Sequence, residues 1–288
     1  LFLAYILSTV LVKPLARVTK AIEDLTDGYQ QDEISVPDYT ETELITDAFN
    51  KMLARMKVLD ESRSEFVSNV SHELKTPMTS MKVLADSLVG QQGVPEDLYQ
   101  EFMRDITAEI DRENRIITDL LTLVKMDKKN ADLQIQHMSI NQLLEDILKR
   151  LRPIADKRNI DLILDSFRPV EADVDELKFT SAISNLVENA IKYNVDDGWV
   201  RVSLDADHKF FYVTVADSGM GIPEDSLSRI FERFYRVDKS HSREIGGTGL
   251  GLAITRSTIG MHHGVIKVFS KEGEGTTFSV RVPLSYIP

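Results

Sequence analysis

Between Leu15 and Met126, apart from a polar stretch at 27–39 and a turn at 90–95, apolar residues recur every three or four positions, whereas after residue 132 they alternate or gather in short runs. The first part therefore predicts amphipathic helices and the second a mixture of strands and helices. Leu15, Val18, Ile22 and Leu25 form one helical stripe. A polar linker from Asp27 to Tyr39, with Pro37 in it, separates them from Ile45, Phe49, Met52, Met56 and Leu59, which alternate steps of four and three like a coiled-coil seam. The helical spacing runs on through Phe66, Val70 and Leu74 to about Val89. One narrow stripe cannot bury itself, so the seam predicts at least two chains packed together. Gly90 to Pro95 reads as a turn. A further helix from Glu96 to about Met126 carries Leu98, Phe102, Ile106, Ile110, Ile117, Leu120, Leu121 and Val124 on one side. Two antiparallel helices from each of two chains make a four-helix bundle.

Lys128 to Ala131 is a short hinge. Beyond it, Leu133 to His137 alternates as a strand, and Ser139 caps a helix running from Ile140 to about Lys157. Ile160 to Leu164 predicts a strand and Asp173 to Tyr193 a helix. Trp199 to Leu204 and Phe210 to Ala216 predict paired strands. Gly251 to His262 predicts a helix, and Val265 to Phe269 and Thr277 to Val282 two more strands. Strands and helices without a strict βαβ rhythm indicate an α+β sandwich.

Composition narrows the classes. A chain of 288 residues with 42% hydrophobic content suits about two globular domains. A net charge of −12 argues against general nucleic-acid binding. The absence of cysteine excludes disulfides, thiolate chemistry and Cys-based zinc sites. Leu1 to Val12 is apolar but shorter than the roughly 20 residues that span a bilayer. The expectation is the end of a membrane helix, with Lys13 and Arg17 on the cytoplasmic side, in a fragment lacking an upstream sensor; a buried helix is the alternative.

Candidate chemistry begins at His72, in Ser71-His72-Glu73-Leu74-Lys75-Thr76-Pro77. Pro77 sits inside a helix, leaves the Glu73 carbonyl without its donor and costs about 3 kcal/mol. Histidine is the residue type that offers a neutral nitrogen nucleophile near pH 7. Glu73 is placed to hold one ring nitrogen, and Thr76, one turn on, to position a water. A His-Glu pair on a polar face also fits a plain solvated pair. Further on, Asn185, Glu188, Asn189 and Lys192 share one helix face, opposite Leu186, Val187, Ala190 and Ile191. Two amides, an acid and a base suit a metal-triphosphate, because Mg²⁺ prefers hard oxygen ligands; a solvated face is the plainer reading. Asp217-Ser218-Gly219-Met220-Gly221 follows a strand, where an acid can accept from an adenine amino group; a tight turn is the plainer reading. Gly246-Gly247-Thr248-Gly249-Leu250-Gly251 opens a helix, whose free N–H groups suit phosphate, although the spacing is neither a Rossmann fingerprint nor a P-loop. The stretch between them, with Phe231, Phe234 and Tyr235, reads as a mobile lid anchored by aromatics.

Taken in order, these strings resemble the H, N, G1, F and G2 boxes of the sensor histidine kinases, and Gly273-Glu274-Gly275-Thr276 resembles the last glycine box. The likeness covers about residues 60 to 285. It implies a GHKL-type (Bergerat) ATP-binding domain over 132–288 and a dimerisation and phosphotransfer domain over 61–129. Residues 13–60 resemble a HAMP linker, with Glu43 where that pattern has glycine, after a membrane-helix end at 1–12; an ordinary coiled-coil spacer is the alternative. The resemblance implies that His72 takes the phosphoryl group, with Glu73, Thr76 and Glu188 assisting. Asn189 would ligate Mg²⁺. Asn185, Lys192, Tyr193 and Asp217 would contact ATP. Gly219, Gly221, Gly247, Thr248, Gly249, Leu250 and Gly251 would shape the pocket and lid. It also implies a homodimer at the cytoplasmic face of the cell membrane, with a response-regulator receiver domain as partner, and no nucleic acid. His262 and His263 read as structural. A non-catalytic nucleotide-binding scaffold and an ATPase conformational machine are the competing classes.

Overall fold

The computed structural model describes residues 40–90, 95–126, 133–237 and 247–287, with isolated positions 2, 13, 16, 19 and 20. The expected membrane-helix end, most of the HAMP-like segment, the hinge at 128–131 and the central lid stretch lie outside the described residues. The chain divides into two units, residues 1–71 and 72–288, taken here each by itself.

Helix α1, Thr40–Val89, is a single 50-residue helix that carries Pro77 in its interior. In its part within the first unit, Ile45, Met52, Met56 and Leu59 are all exposed, as an unpartnered seam must be. Helix α2, Glu96–Met126, opens on Glu96 and Asp97 and closes on Lys125, charges that complement the helix dipole. Its buried residues are Ile116 and Leu123. Ile110, Ile117, Leu121 and Val124, from the predicted stripe, are exposed.

The remainder is a two-layer sandwich. A five-stranded sheet has the order β2-β4-β5-β7-β6, from β2 (Asp161–Ser166), β4 (Trp199–Ala206), β5 (Phe210–Asp217), β6 (Val265–Lys271) and β7 (Gly275–Pro283). Only β2 and β4 pair in parallel; the other neighbours are antiparallel. The register aligns Val202 with Val215 and Val215 with Phe278, so alternate residues of three strands line one buried face. Helices α3 (Ile140–Asp156), α4 (Glu176–Lys192) and α5 (Gly251–Met261) contribute Leu144, Ile147, Phe179, Ile183, Leu186 and Ile259 to the same core.

A two-stranded sheet pairs β1 (Ile135–Ser139) with β3 (Glu171–Asp175). Here the sequence expectation needs correction. Residues 171–175 form a strand, and the helix expected from Asp173 starts at Glu176. Ala172 and Val174 are fully buried while Glu171 and Asp173 face outward, a period of two that overrides helix propensity. Asp175 ends the strand and caps α4 by accepting from the Lys178 N–H at 3.0 Å. The first strand likewise lies two residues later than expected, because Ile135 pairs with Asp175. Ser139 caps α3 as expected, its Oγ accepting from Gln142 N.

Candidate active site

His72 stands on the exposed side of α1. Lys75, Thr76, Thr79, Ser80 and Val83 continue the same helix face and line an open groove with it. The hydroxyl of Thr76 donates to the His72 carbonyl at 3.1 Å, which leaves its oxygen lone pairs as the part able to meet a water. Glu73 does not bond to the imidazole in this arrangement. Its Oε2 lies 3.4 Å from Nη2 of Arg236, and the Arg236 side chain is 11% exposed. A guanidinium is the stronger partner for a carboxylate, since the bond is charge-assisted on both sides.

The second group of residues is gathered by α4. Its apolar side packs Leu186, Val187, Ala190 and Ile191 into the core, which turns Asn185, Glu188, Asn189 and Lys192 the other way. Asn185 Nδ2 donates to Thr255 Oγ1 at 3.0 Å, so this amide straps α4 to α5. A Cβ on Gly251 would lie 2.3 Å from Asn185 Oδ1; glycine is required there because the amide occupies the space. Glu188 is exposed. The half-buried side-chain amide of Asn189 has no hydrogen-bond partner among the described residues. An uncommitted amide oxygen beside an exposed carboxylate fits a hydrated Mg²⁺ whose remaining ligands are water and phosphate. Among the described residues no three His, Asp or Glu side chains converge as a self-contained metal cage.

Asp217 ends β5 with 8% exposure. Its Oδ1 accepts from Gly219 N at 2.8 Å and Thr276 N at 3.2 Å. Burial pushes its carboxyl up to about 6, against the pull of those two donors. Oδ2 has no partner among the described residues and is left able to accept a further donor. A Cβ on Gly219 would sit 2.4 Å from the Tyr193 carbonyl, so the loop after β5 and the end of α4 meet backbone to backbone.

Gly247, Thr248, Gly249 and Leu250 lead into α5. Lys192 Nζ is so close to this loop that a Cβ on Gly247 would lie 2.7 Å from it. Burial first, then the neighbouring Arg236, Arg115 and Arg112, lower the Lys192 ammonium to about 8. Burial raises the adjacent Tyr193 phenol. Thr248 Oγ1 donates to Asp119 of α2 at 2.8 Å, while Leu250, Ala253 and Ile254 pack with Leu120, Leu123 and Met126. The aromatics before the lid are anchored as expected: Phe231 meets Phe278 edge to face at 6.3 Å, and Tyr235 donates to Ser226 Oγ at 3.0 Å.

Four residues that support the site escaped the sequence reading. Arg158 donates to the carbonyls of Ile191 and Lys192 from Nη1 and of Asn194 from Nη2, at 2.8–2.9 Å, satisfying the open end of α4. Asn194, buried, donates to Trp199 O and accepts from Ser218 Oγ, which ties that end to the Asp217 loop. Arg236 and Asp119 join the sandwich to the hairpin. Only Arg236, in the aromatic lid string, stood near a recognisable signal. His262 is structural: with Nδ1 donating to Thr258 O at 2.8 Å, Nε2 accepts from Asp175 N at 2.9 Å.

Residues 62–129 match the His Kinase A (phospho-acceptor) domain family, and residues 174–286 match the Histidine kinase-, DNA gyrase B-, and HSP90-like ATPase family. The chain is similar to sensor histidine kinase WalK of Bacillus subtilis, 35% identical over 228 residues covering 78% of this chain and 37% of that protein. It is similar to sensor-like histidine kinase SenX3 of Mycolicibacterium smegmatis, 35% identical over 225 residues covering 78% of this chain and 58% of that one. The chain thus spans between about a third and three-fifths of the length of these relatives. Among solved structures, histidine kinase ThkA in complex with response regulator protein TrrA aligns with a TM-score of 0.64 at 23% identity, covering 87% of this chain and 69% of that one. Histidine kinase AdeS of Acinetobacter baumannii aligns with a TM-score of 0.59 at 22% identity, covering 74% and 98%. These two likenesses bear on the fold.

Proposed function

The chain belongs to the sensor histidine kinases, carrying both a phospho-acceptor and an ATPase domain, and we propose that it moves the γ-phosphoryl group of ATP to His72 and from there to an aspartate of a separate receiver protein. The observation that carries this reading is the contact of Glu73 with Arg236. It sets the neighbour of the acceptor histidine against a residue that flanks the Lys192–Tyr193 end of the nucleotide site.

In the proposed reaction an unprotonated ring nitrogen of His72 attacks the γ-phosphorus. The bond to the β–γ bridging oxygen breaks, ADP leaves with that oxygen, and the ring loses the proton on its other nitrogen. Glu73 is the nearest base in sequence, and it can receive that proton only after parting from Arg236. Asp217 Oδ2 would take the adenine amino group, and Lys192 and the N–H groups of the Gly247–Gly251 loop would take phosphate oxygens. Asn189 and Glu188 would hold Mg²⁺, which when bound neutralises charge on the β- and γ-oxygens. The residues act by positioning and by supplying charge where it develops.

The exposed groove from His72 to Val83 offers a receiver a helix face to dock on. There the Thr76 hydroxyl would orient a water for removal of phosphate from the regulator. A homodimer would cover Ile110, Ile117, Leu121 and Val124. The apolar residues 1–12, followed by Lys13 and Arg17, support attachment at the cytoplasmic face of a membrane; among the described residues no helix is long and apolar enough to cross one. Incubation with γ-labelled ATP and Mg²⁺ tests the transfer. The wild-type chain should become labelled and His72→Gln should not; equal labelling of both places the acceptor elsewhere.

A further inference from the structure

We propose that Arg112 and Arg115 of α2 form the outer wall of the nucleotide's phosphate site, so that a triphosphate is gripped by the sandwich on one side and by the hairpin on the other. The inference rests on the ATP-binding reading of the sandwich and deepens it.

The placement follows from a short chain of contacts. Lys192 Nζ lies against Gly247, 2.7 Å from where a Cβ there would stand. The next residue, Thr248, bonds to Asp119 at 2.8 Å. Arg115 and Arg112 precede Asp119 by four and seven positions, so all three share one face of α2. Behind that bond, Leu120, Leu123 and Met126 pack against Leu250, Ala253 and Ile254, which fixes how the helix face meets the loop. On the other flank Arg236 is held by Glu73. Arg236, Arg115 and Arg112 therefore all lie within electrostatic reach of Lys192, in a chain whose net charge is −12.

Their charges are unevenly answered. Arg236 has Glu73, and Arg115 lies within electrostatic reach of Asp119. Arg112 has no ion pair among the described residues, and its Nε is buried without a hydrogen-bond partner. Glu109, one turn earlier, does not close the pair and leaves its own Oε2 unpartnered. Buried polar atoms are rarely left so. The mutual repulsion is also felt at Lys192, lowered to about 8 by burial and then by Arg236, Arg115 and Arg112. A polyanion relieves both conditions, and a guanidinium matches phosphate oxygens in a bidentate fork. The ligand chemistry is a polyphosphate, with ATP favoured over ADP.

The test is direct binding to the whole chain in Mg²⁺, with ATP, ADP, adenosine and inorganic tripolyphosphate as probes. In the double variant Arg112→Gln, Arg115→Gln, ATP affinity should fall about tenfold or more, as loss of one charge-assisted bond implies. ADP should lose less and adenosine nothing. The Lys pair, Arg112→Lys with Arg115→Lys, keeps the charge but not the fork and should recover part of the loss, which damage to the helix would not allow. Weakening of tripolyphosphate alone, with ATP unchanged, would make the wall a general anion site and overturn the proposal. So would unchanged ATP affinity in the Gln pair, or equal loss of ATP and adenosine. A wild-type chain that binds ATP but forms no phosphohistidine defeats the transfer reading and leaves this one standing.

Discussion

The hairpin and the sandwich solve the problem of burial in opposite ways. In the sandwich, Phe179 and Phe211 are fully buried and meet edge to face at 5.6 Å, and three strands present unbroken inner rows to three helices. In the hairpin, α2 buries only Ile116 and Leu123 and leaves Ile110, Ile117, Leu121 and Val124 exposed. A closed core makes a module that folds by itself and holds a ligand site still. A half-built core leaves a module that a second copy would stabilise, with His72 on its outside. The contrast matches a division between a nucleotide holder and a phosphoryl carrier.

Substitutions should separate the two regions. The largest effect belongs to the closed core: Phe211→Ala should cost the sandwich about 4 kcal/mol, the usual range for a buried aromatic, read by denaturant unfolding. A cost near zero would mean that the core is not packed as described. Next, Ile117→Asp should weaken self-association at least about a hundredfold, or about 2.7 kcal/mol, read by light scattering across concentration. The sandwich should unfold as before. An unchanged dimer would move the seam off this face.

The smallest effect is one of pH. Asp217, raised to about 6, loses its acceptor as the pH falls, so adenosine should bind about tenfold more weakly at pH 5 than at pH 7. Asp217→Asn should abolish that slope; a slope that survives assigns it to another group. In the unliganded fold the sign is reversed. The raised carboxyl contributes stability that is complete below its ordinary 3.8 and is lost as the pH rises through about 6.

Much of this was legible in the sequence, and the exceptions have a common physical cause. Helical periodicity marked α1 and α2, and the polar stripe on α4 followed from spacing alone. The Asp217 and Gly247–Gly251 strings were visible because loops that approach backbone or ligand closely need small residues locally. The strand at Glu171–Asp175 was missed although its alternation was present, since five residues beside a strong helix are easily absorbed by it. Arg158 and Asp119 were invisible because their partners are distant in sequence: the Arg158 carbonyls are more than thirty residues away and Thr248 is 129 from Asp119. Glu73 was set against the His72 ring by adjacency, while the fold sets it against Arg236, 163 residues on. Local pattern marks elements and loops; long-range pairing decides which charged group faces which.

The central claim is that the exposed imidazole on the half-built module accepts the phosphoryl group delivered from the closed one. It is tested most directly by mapping acid-labile phosphate on peptides of the intact chain after incubation with Mg-ATP. The account predicts one phosphate, on His72, lost in acid and retained in base. Phosphate on another residue, or hydrolysis of ATP with no phosphopeptide at all, would contradict it.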